Sequence, residues 1–182
     1  MPVQIGEKIH SFSDPTGLLS DCHRRIETFM ASLEAVAALS NRELTDEMSR
    51  SLDSALRYFR DAAPKHTADE EESLFPRLRQ AASPELHSTL NRLNQLQEDH
   101  RWAELLHATV DQLGNRYLEQ RRLLPEEAKR FRHAIDQLSE MYQRHIELED
   151  REVFPAAARL LTPQAKREVA DEMKARRNLK AS

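Results

Sequence analysis

Apolar residues recur along most of the chain at steps of three, four and seven, the spacing that places side chains on one face of an α-helix. These stripes of apolar residues are interrupted at Ser40 and Asn41. Prolines occur at positions where a helix can start, because a missing backbone N–H costs little in the first turn of a helix. The pattern predicts four long helices: one from Pro15, one from near Thr45 toward His66, one from the Ser83–Pro84–Glu85 cap to near Gly114, and one from Pro125.

Four long helices joined by short loops fold most simply as an up-down-up-down bundle. We therefore expect an all-α four-helix bundle over residues 1–160, with a short C-terminal helix and tail over 161–182. Pro76 and Pro155, each after a phenylalanine, are expected to kink or stop their helices. The predicted core is formed by the residues of the stripes: Leu19, Ile26, Met30, Leu33, Ala37, Leu52, Leu56, Phe59, Ala63, Leu93, Leu96, Trp102, Val110, Phe131, Ile135, Leu138 and Leu148.

Composition narrows the class of protein. The 182 residues suffice for one domain with a core, and the 3 glycines argue against most β-sandwiches and glycine-rich phosphate loops. A net charge of −4 argues against nucleic acid as the main partner. No apolar run reaches the length of a membrane span, no signal peptide is visible, and the single cysteine, Cys22, excludes an internal disulfide. We expect a cytoplasmic protein with no membrane partner; the sequence leaves its oligomeric state open.

The chain contains an internal repeat. His66 and His145 each begin the pattern H-x3-E-x4-F-P, and His23 and His100 each lie in the pattern [DE]-x-H-R-x2-E. The offsets agree, because His23 precedes His100 by 77 residues and His66 precedes His145 by 79. Helices one and two are therefore repeated as helices three and four, which would bring four histidines to one level of a bundle.

Four of the eight histidines have a glutamate four residues later: His23, His66, His100 and His145. On a helix such a pair lies on one face, and a single pair is ordinarily an exposed contact of a few tenths of a kcal/mol. Here the pairs are in phase with the apolar stripes, and burying several histidines and carboxylates without a metal would be costly. Imidazole and carboxylate ligands facing inward from bundle helices are typical of dinuclear metal sites.

These motifs, over roughly residues 15 to 160, resemble the hemerythrin-like proteins of the HHE cation-binding family. The resemblance implies a four-helix bundle with two iron ions in an oxo- or hydroxo-bridged centre. By that resemblance Glu70 and Glu149 would bridge the irons, and His66 and His145 would be ligands from the same helices as these glutamates. His23 and His100 would be terminal ligands from helices one and three.

The chain departs from the oxygen carriers of that family, which have a second histidine four residues after the helix-three ligand. Here that position is Glu104, and the symmetric position is Glu27; both remain open as additional metal ligands, outer-shell acceptors or solvated side chains. The departure argues against reversible oxygen carriage. We expect a metal- and ligand-binding protein for O2 or NO that serves sensing, scavenging or the handling of iron and nitrosative stress. The alternatives are an oxidase or peroxidase using the same irons, a site that holds zinc or manganese, and a metal-free helical module.

The remaining polar residues have simpler interpretations. His107 lies about 10.5 Å along the helix from His100, which is too far to share a metal ion, so we expect it to line the core or a channel. Tyr142 is expected to be a half-buried core residue. The acidic neighbours of Glu70 within the run 69–72 are expected to form a solvated face, with Glu71 alternatively in reach of the metal edge. Three histidines are out of phase with the ligand set and are expected at the surface: His10, His87 and His133.

Overall fold

A computed structural model describes residues 10–81 and 87–179, with side chains of the second range described from residue 91. Throughout these ranges the regular secondary structure is helical, as predicted. The elements are α1 (Pro15–Ala38), α2 (Asp46–Asp61), α3 (Ala63–Ala68), π1 (Asp69–Leu74), α4 (Phe75–Gln80), α5 (His87–Gln120), α6 (Pro125–Leu148), π2 (Glu149–Val153), α7 (Phe154–Leu160) and α8 (Pro163–Arg176).

Local sequence explains most helix ends. Thr45 caps α2, since its hydroxyl accepts a hydrogen bond from the Met48 N–H at 3.2 Å, and Thr162 caps α8 in the same way through Ala165 at 3.1 Å. The second predicted helix is interrupted at Ala62, just before Pro64, which cannot donate a helical hydrogen bond. The predicted Ser83–Pro84–Glu85 cap lies outside the described residues.

Pro76 and Pro155 do not stop their helices, which corrects that part of the expectation. Helix continues after both prolines, as α4 and α7, because each Phe-Pro pair is preceded by a π-helical segment. There the Phe75 N–H donates to the Glu70 carbonyl and the Phe154 N–H to the Glu149 carbonyl, both five residues back. The wider turn accommodates a proline that would clash with an α-helical carbonyl four residues earlier.

The chain forms two compact units, and α1, α5 and α6 each contribute residues to both. The second unit comprises Ile26–Ala63 and Asp99–Arg144, and its helices form a closed ring of neighbours. Phe29 stacks on Tyr58 between α1 and α2. Ser139 of α6 bonds Glu34 of α1, and Arg132 of α6 bonds Ser40 in the turn just after α1. The α2–α5 contacts are Leu56–Gly114 and Phe59–His107, and the α5–α6 contacts are His107–Tyr142 and Tyr117–Phe131.

Three of these helix pairs are antiparallel, because the residue numbers at their contacts increase along one helix and decrease along the other. On α2 and α5, Leu56 meets Gly114 whereas Phe59 meets His107, and the α5–α6 and α6–α1 contacts reverse in the same manner. The short α1–α2 connection also makes those two helices antiparallel. The second unit is therefore an up-down-up-down four-helix arrangement, as the sequence predicts.

The first unit takes its described residues from Met1–Arg25, Pro64–Glu98 and His145–Ser182. Its core joins α1, α4, α5 and α7 and also α8, which the sequence treats as a separate C-terminal element. Both π segments contribute to this core, so the elements that carry Glu70 and Glu149 are held by apolar packing. The buried core residues are Leu18, Leu19, Leu74, Phe75, Leu78, Leu93, Leu96, Val153, Phe154, Ala157, Leu161, Val169 and Met173.

Two expectations for helix α5 are wrong. Gly114 does not end the helix, which continues to Gln120; a Cβ at Gly114 would lie 2.8 Å from a Leu56 methyl carbon, so glycine allows α2 to approach closely. Trp102 is not packed between helices, because 47% of it is exposed beside exposed Leu105. The other predicted core residues are buried, apart from the partly buried Leu148.

Within the described parts of the chain, no helix combines the length and the apolar character needed to cross a lipid bilayer.

Candidate metal centre

Four predicted ligands converge in the interior of the first unit. His23 comes from α1, His66 from α3, Glu70 from π1 and Glu149 from π2, and each offers a ligand atom within 4.8 Å of the others. His145, one turn before Glu149 on α6, also offers a ligand atom within 4.8 Å of Glu70 and Glu149. The chain therefore brings together three imidazoles and two carboxylates from five helical elements.

The separations between these atoms fit a first-row transition metal. Nε2 of His23 lies 3.1 Å from Glu149 Oε2 and 4.0 Å from Glu70 Oε1. Nε2 of His66 lies 3.1 Å from Glu70 Oε1, and Nε2 of His145 lies 3.2 Å from Glu149 Oε2. Metal–ligand bonds of about 2.1 Å place adjacent ligand atoms roughly 3 Å apart and opposite ones roughly 4 Å apart.

Burial makes this arrangement costly without a cation. His23, Glu70 and Glu149 are fully buried, and His66 and His145 are nearly so. Among the described residues, Nε2 of His23 and both carboxylate oxygens of Glu149 have no hydrogen-bond partner despite their short separations. Buried polar atoms normally have partners, so a bound cation is the group that fits this donor set.

The electrostatics also favour a cation. Burial lowers the pKa of His23, but the neighbouring carboxylates Asp150 and Glu149 outweigh it, so the pKa lies above its ordinary value. Burial likewise opposes the charge of His66, yet Glu70 holds its pKa well above the usual range. Burial raises the pKa of Glu149, but the histidines beside it, His145 first, hold it well below the usual range. In a metal-free chain, protons on the imidazoles take the place that a cation would fill.

Asp150, the residue after Glu149, orients His23. Nδ1 of His23 lies 2.9 Å from Asp150 Oδ1, so a proton on Nδ1 is donated to the carboxylate and the lone pair of Nε2 faces the cluster. The carboxylate also accepts from the Ser20 hydroxyl at 2.8 Å and from Arg24 at 2.6 Å. Sequence analysis missed this residue, although an acidic residue, Glu71, occupies the same place in the first repeat.

The other predicted ligands lie in the second unit. His100 is half-buried on α5, shortly after the point where that helix enters this unit, and its assignment as a ligand stays a prediction. Glu27 and Glu104 are exposed, which favours solvated side chains over metal ligands.

The structure agrees only in part with the positions predicted for the remaining polar residues. His107 lines the interior as expected, stacked on Phe59, with Nε2 2.9 Å from the hydroxyl of half-buried Tyr142. Burial lowers the pKa of His107 to about 4. His133 is exposed as expected, whereas partly buried His10 contacts buried Asp21 through its ring Nδ1 at 3.1 Å. The prediction for His87 falls on a side chain outside the described set.

The acidic run around Glu70 is not wholly a solvated face, which corrects the sequence-based interpretation. Asp69 is fully buried, since two arginines of the C-terminal segment neutralise it: Arg176 at 3.0 Å and Arg177 at 2.6 Å. Periodicity could not reveal this contact, because it joins residues more than 100 positions apart.

Comparison with known proteins supports a cation-binding interpretation. Over its full length the chain is similar to an uncharacterized protein of Haemophilus influenzae, with 27% identity over 182 residues that cover 99% of each chain. The model of the hemerythrin HHE cation binding domain matches residues 14–157, which include every predicted ligand. With the buried histidine–glutamate cluster, this match shows that the chain belongs to the hemerythrin HHE cation-binding family.

Proposed function

We propose that this protein is a non-haem di-iron protein whose centre binds O2 or NO in sensing, scavenging or the handling of iron and nitrosative stress. The observation that carries the proposal is the buried cluster in which histidine and glutamate atoms lie at metal-ligand separations. The proposed ligands are His23, His66, Glu70, His100, His145 and Glu149. Two irons would supply open coordination positions and two electrons side by side.

The positions of the glutamates support a bridging role. Glu149 Oε2 lies near histidines of two different helices, His23 at 3.1 Å and His145 at 3.2 Å. Glu70 Oε1 similarly lies near both His66 and His23. A carboxylate set between imidazoles of different helices can ligate two ions.

The surrounding residues are suited to orienting the ligands and excluding water. The ring of Phe154 stacks on His23 with centroids 5.2 Å apart, and Leu19 and Phe75 are fully buried in the same unit. Asp150 holds the Nδ1 proton of His23, which fixes the tautomer whose Nε2 faces the cluster. A small neutral molecule such as O2 or NO suits a site with apolar walls better than a charged substrate does.

The first experiment is metal analysis of the purified protein with optical spectra before and after dithionite and then air. Two irons per chain, with near-ultraviolet bands of ferric iron that bleach on reduction, are expected. Zinc or manganese at full occupancy in iron-replete protein would overturn the choice of iron, and no metal would overturn the proposal. O2 and NO are then compared by titration of the reduced protein, and turnover with an added organic reductant would favour the oxidase or peroxidase alternative.

The ligand assignment is tested with Glu70→Ala and Glu149→Ala. Each variant should lose one or both metals, whereas Glu104→Ala, which alters an exposed glutamate, should keep the wild-type metal content. Normal iron content in both core variants would contradict the bridging roles of Glu70 and Glu149.

A further inference from the structure

The buried Asp69 links the proposed centre to the C-terminal helix. It is fully buried and adjoins Glu70 in π1. The carboxylate accepts from Arg176 at 3.0 Å and from Arg177 at 2.6 and 3.2 Å. These two arginines, here called the arginine pair, are the last residue of α8 and its C-cap.

Arg176 spans π1. Besides Asp69, the first residue of the segment, it bonds the Ser73 hydroxyl at 2.8 Å and the exposed Glu72 carboxylate at 3.0 Å. A single guanidinium therefore holds side chains near both ends of the π turn. Guanidinium is suited to this role, because its donors form a rigid planar fork.

Contacts other than the arginine pair hold α8 in the first unit. Val169 and Met173 of α8 are buried in the core of the first unit, and Arg77 of α4 bonds Glu172 of α8 at 2.8 Å. Substitutions at Arg176 and Arg177 can therefore remove the contact with Asp69 while the helix stays packed.

We propose that Arg176 and Arg177 are positioning residues that hold π1 in the conformation placing the Glu70 carboxylate among the metal ligands. The inference rests on the proposed metal-binding function. A π turn is uncommon and usually confined to one turn, so it depends on contacts from outside its own backbone. The planar peptide between Asp69 and Glu70 makes any backbone shift at the first residue move the second.

The internal repeat provides a comparison within the same molecule. In the second repeat, the positions equivalent to Asp69 and Ser73 are Leu148, the last residue of α6, and Glu152 of π2. Glu152 is exposed near Arg92 at 3.5 Å. Leu148 cannot accept a hydrogen bond from an arginine through its side chain. Within the described residues, the arginine pair therefore bonds side chains of π1, whereas the equivalent position before π2 offers no side-chain acceptor.

The arginine pair lies outside the segment that matches the family model. The family match ends at residue 157, whereas α8 begins at Pro163. The positioning role is therefore assigned to this chain's own C-terminal helix.

The test uses the full-length double variant Arg176→Gln with Arg177→Gln, and Arg167→Gln, an exposed arginine of the same helix, as its matched control. Metal-free proteins are titrated with Co2+ alone, whose visible spectrum reports ligand geometry. We expect at least a tenfold loss of Co2+ affinity and an altered spectrum in the double variant, with neither in the control. Asp69→Asn removes the acceptor of the same contact and should reproduce the effect. If the double variant unfolds, the single variants Arg176→Gln and Arg177→Gln replace it in the titration.

Hydrogen exchange of the metal-free proteins supplies a readout that does not depend on metal. Amides of π1 should exchange at least tenfold faster in the double variant, while amides of π2 keep their wild-type rates. Equal acceleration in both segments, or wild-type exchange and Co2+ binding, would overturn the positioning role. If the wild-type chain binds no metal, the proposed function fails, and the exchange rates of π1 alone then decide whether the arginine pair holds that segment.

Discussion

At the scale of single residues, the candidate centre combines ligands with partners that orient them. Asp150 is the clearest partner, because its carboxylate binds the ring of His23, the hydroxyl of Ser20 and the guanidinium of Arg24 at once. A carboxylate behind a metal-binding imidazole fixes the tautomer and increases the basicity of the ligand atom. Residues that never touch the metal are therefore expected to influence how tightly it binds.

Asp150→Asn is expected to lower metal affinity by about 10- to 100-fold, because a neutral amide orients the His23 ring less strongly. Competition with a chromophoric chelator measures the affinity. Asp111→Asn is the control, since Asp111 is paired with Arg60 on exposed helix surfaces of the second unit. Equal affinities for Asp150→Asn and wild type would show that Asp150 does not orient a metal ligand.

His107 is expected to make the fold sensitive to acid. Its pKa falls from 6.5 to about 4 because burial disfavours the charged ring, so the unfolded chain binds the proton more readily between these values. The contribution of neutral His107 is present above pH 6.5 and is lost as the pH falls toward 4. The complete loss is about 3 kcal/mol, at 1.36 kcal/mol per unit of pKa shift.

Urea unfolding at pH 7 and pH 4.5 tests this expectation. The free energy of unfolding should fall less between these pH values in His107→Leu than in wild type. Exposed His133 provides the control, and His133→Gln should keep the wild-type difference between the two pH values. An identical pH dependence in His107→Leu and wild type would contradict the buried neutral state.

At the scale of elements, Glu70 is the second residue of π1 and Glu149 is the first residue of π2, and a Phe-Pro pair follows each segment. Proline lacks the N–H needed for the α-helical hydrogen bond and clashes with the carbonyl four residues earlier. The five-residue hydrogen bonds made by Phe75 and Phe154 avoid that conflict. The prolines are thereby coupled to the geometry of the glutamates, Glu70 and Glu149.

Pro76→Ala is expected to weaken the π1 geometry, because residue 76 regains an N–H that can bond the carbonyl of residue 72. The Co2+ spectrum of the loaded protein should change as Glu70 shifts. Pro163→Ala serves as the control, since Pro163 lies in the first turn of α8 and follows no π segment. An unchanged spectrum for Pro76→Ala would show that Ser73, Leu74 and their neighbours hold π1 without the proline.

At the scale of the whole molecule, the cost of a buried, charged cluster links metal binding to folding. The folded chain assembles the ligands from distant parts of the sequence, whereas the unfolded chain does not. A ligand that binds only the folded state stabilises it by about 4 kcal/mol at a concentration 1,000 times its Kd. Metal is therefore expected to be a major source of stability for this protein.

Removing the metal with a chelator should lower the thermal unfolding midpoint by about 10 °C, since 1 kcal/mol corresponds to roughly 2–4 °C for a chain of this size. Scanning calorimetry of loaded and stripped protein measures the shift. In the double variant Glu70→Ala with Glu149→Ala the midpoint should not respond to metal. A midpoint that is the same with and without metal in the wild type would contradict this link.

The sequence alone determined the helical class, most helix starts and the histidine–glutamate pairs. Helical periodicity and the side chains of Thr162, Pro125 and Pro163 act over a few neighbouring residues, so their effects can be read directly. The repeat also identified Glu70 and Glu149 before any contact was known. Local chemistry thus sufficed for the core stripes and for the candidate ligands.

Only the tertiary structure decided which other residues support the centre. The sequence places Asp69 in an acidic surface run, whereas in the structure Arg176 and Arg177, more than 100 residues away, neutralise it. Asp150 likewise orients His23, which lies 127 residues earlier in the chain. Gly114 and Trp102 show the same limit, because the close approach of Leu56 and the lack of a cover over the indole depend on how helices pack. Periodicity shows which face of a helix is apolar, but burial and charge pairing depend on the elements that fold against that face.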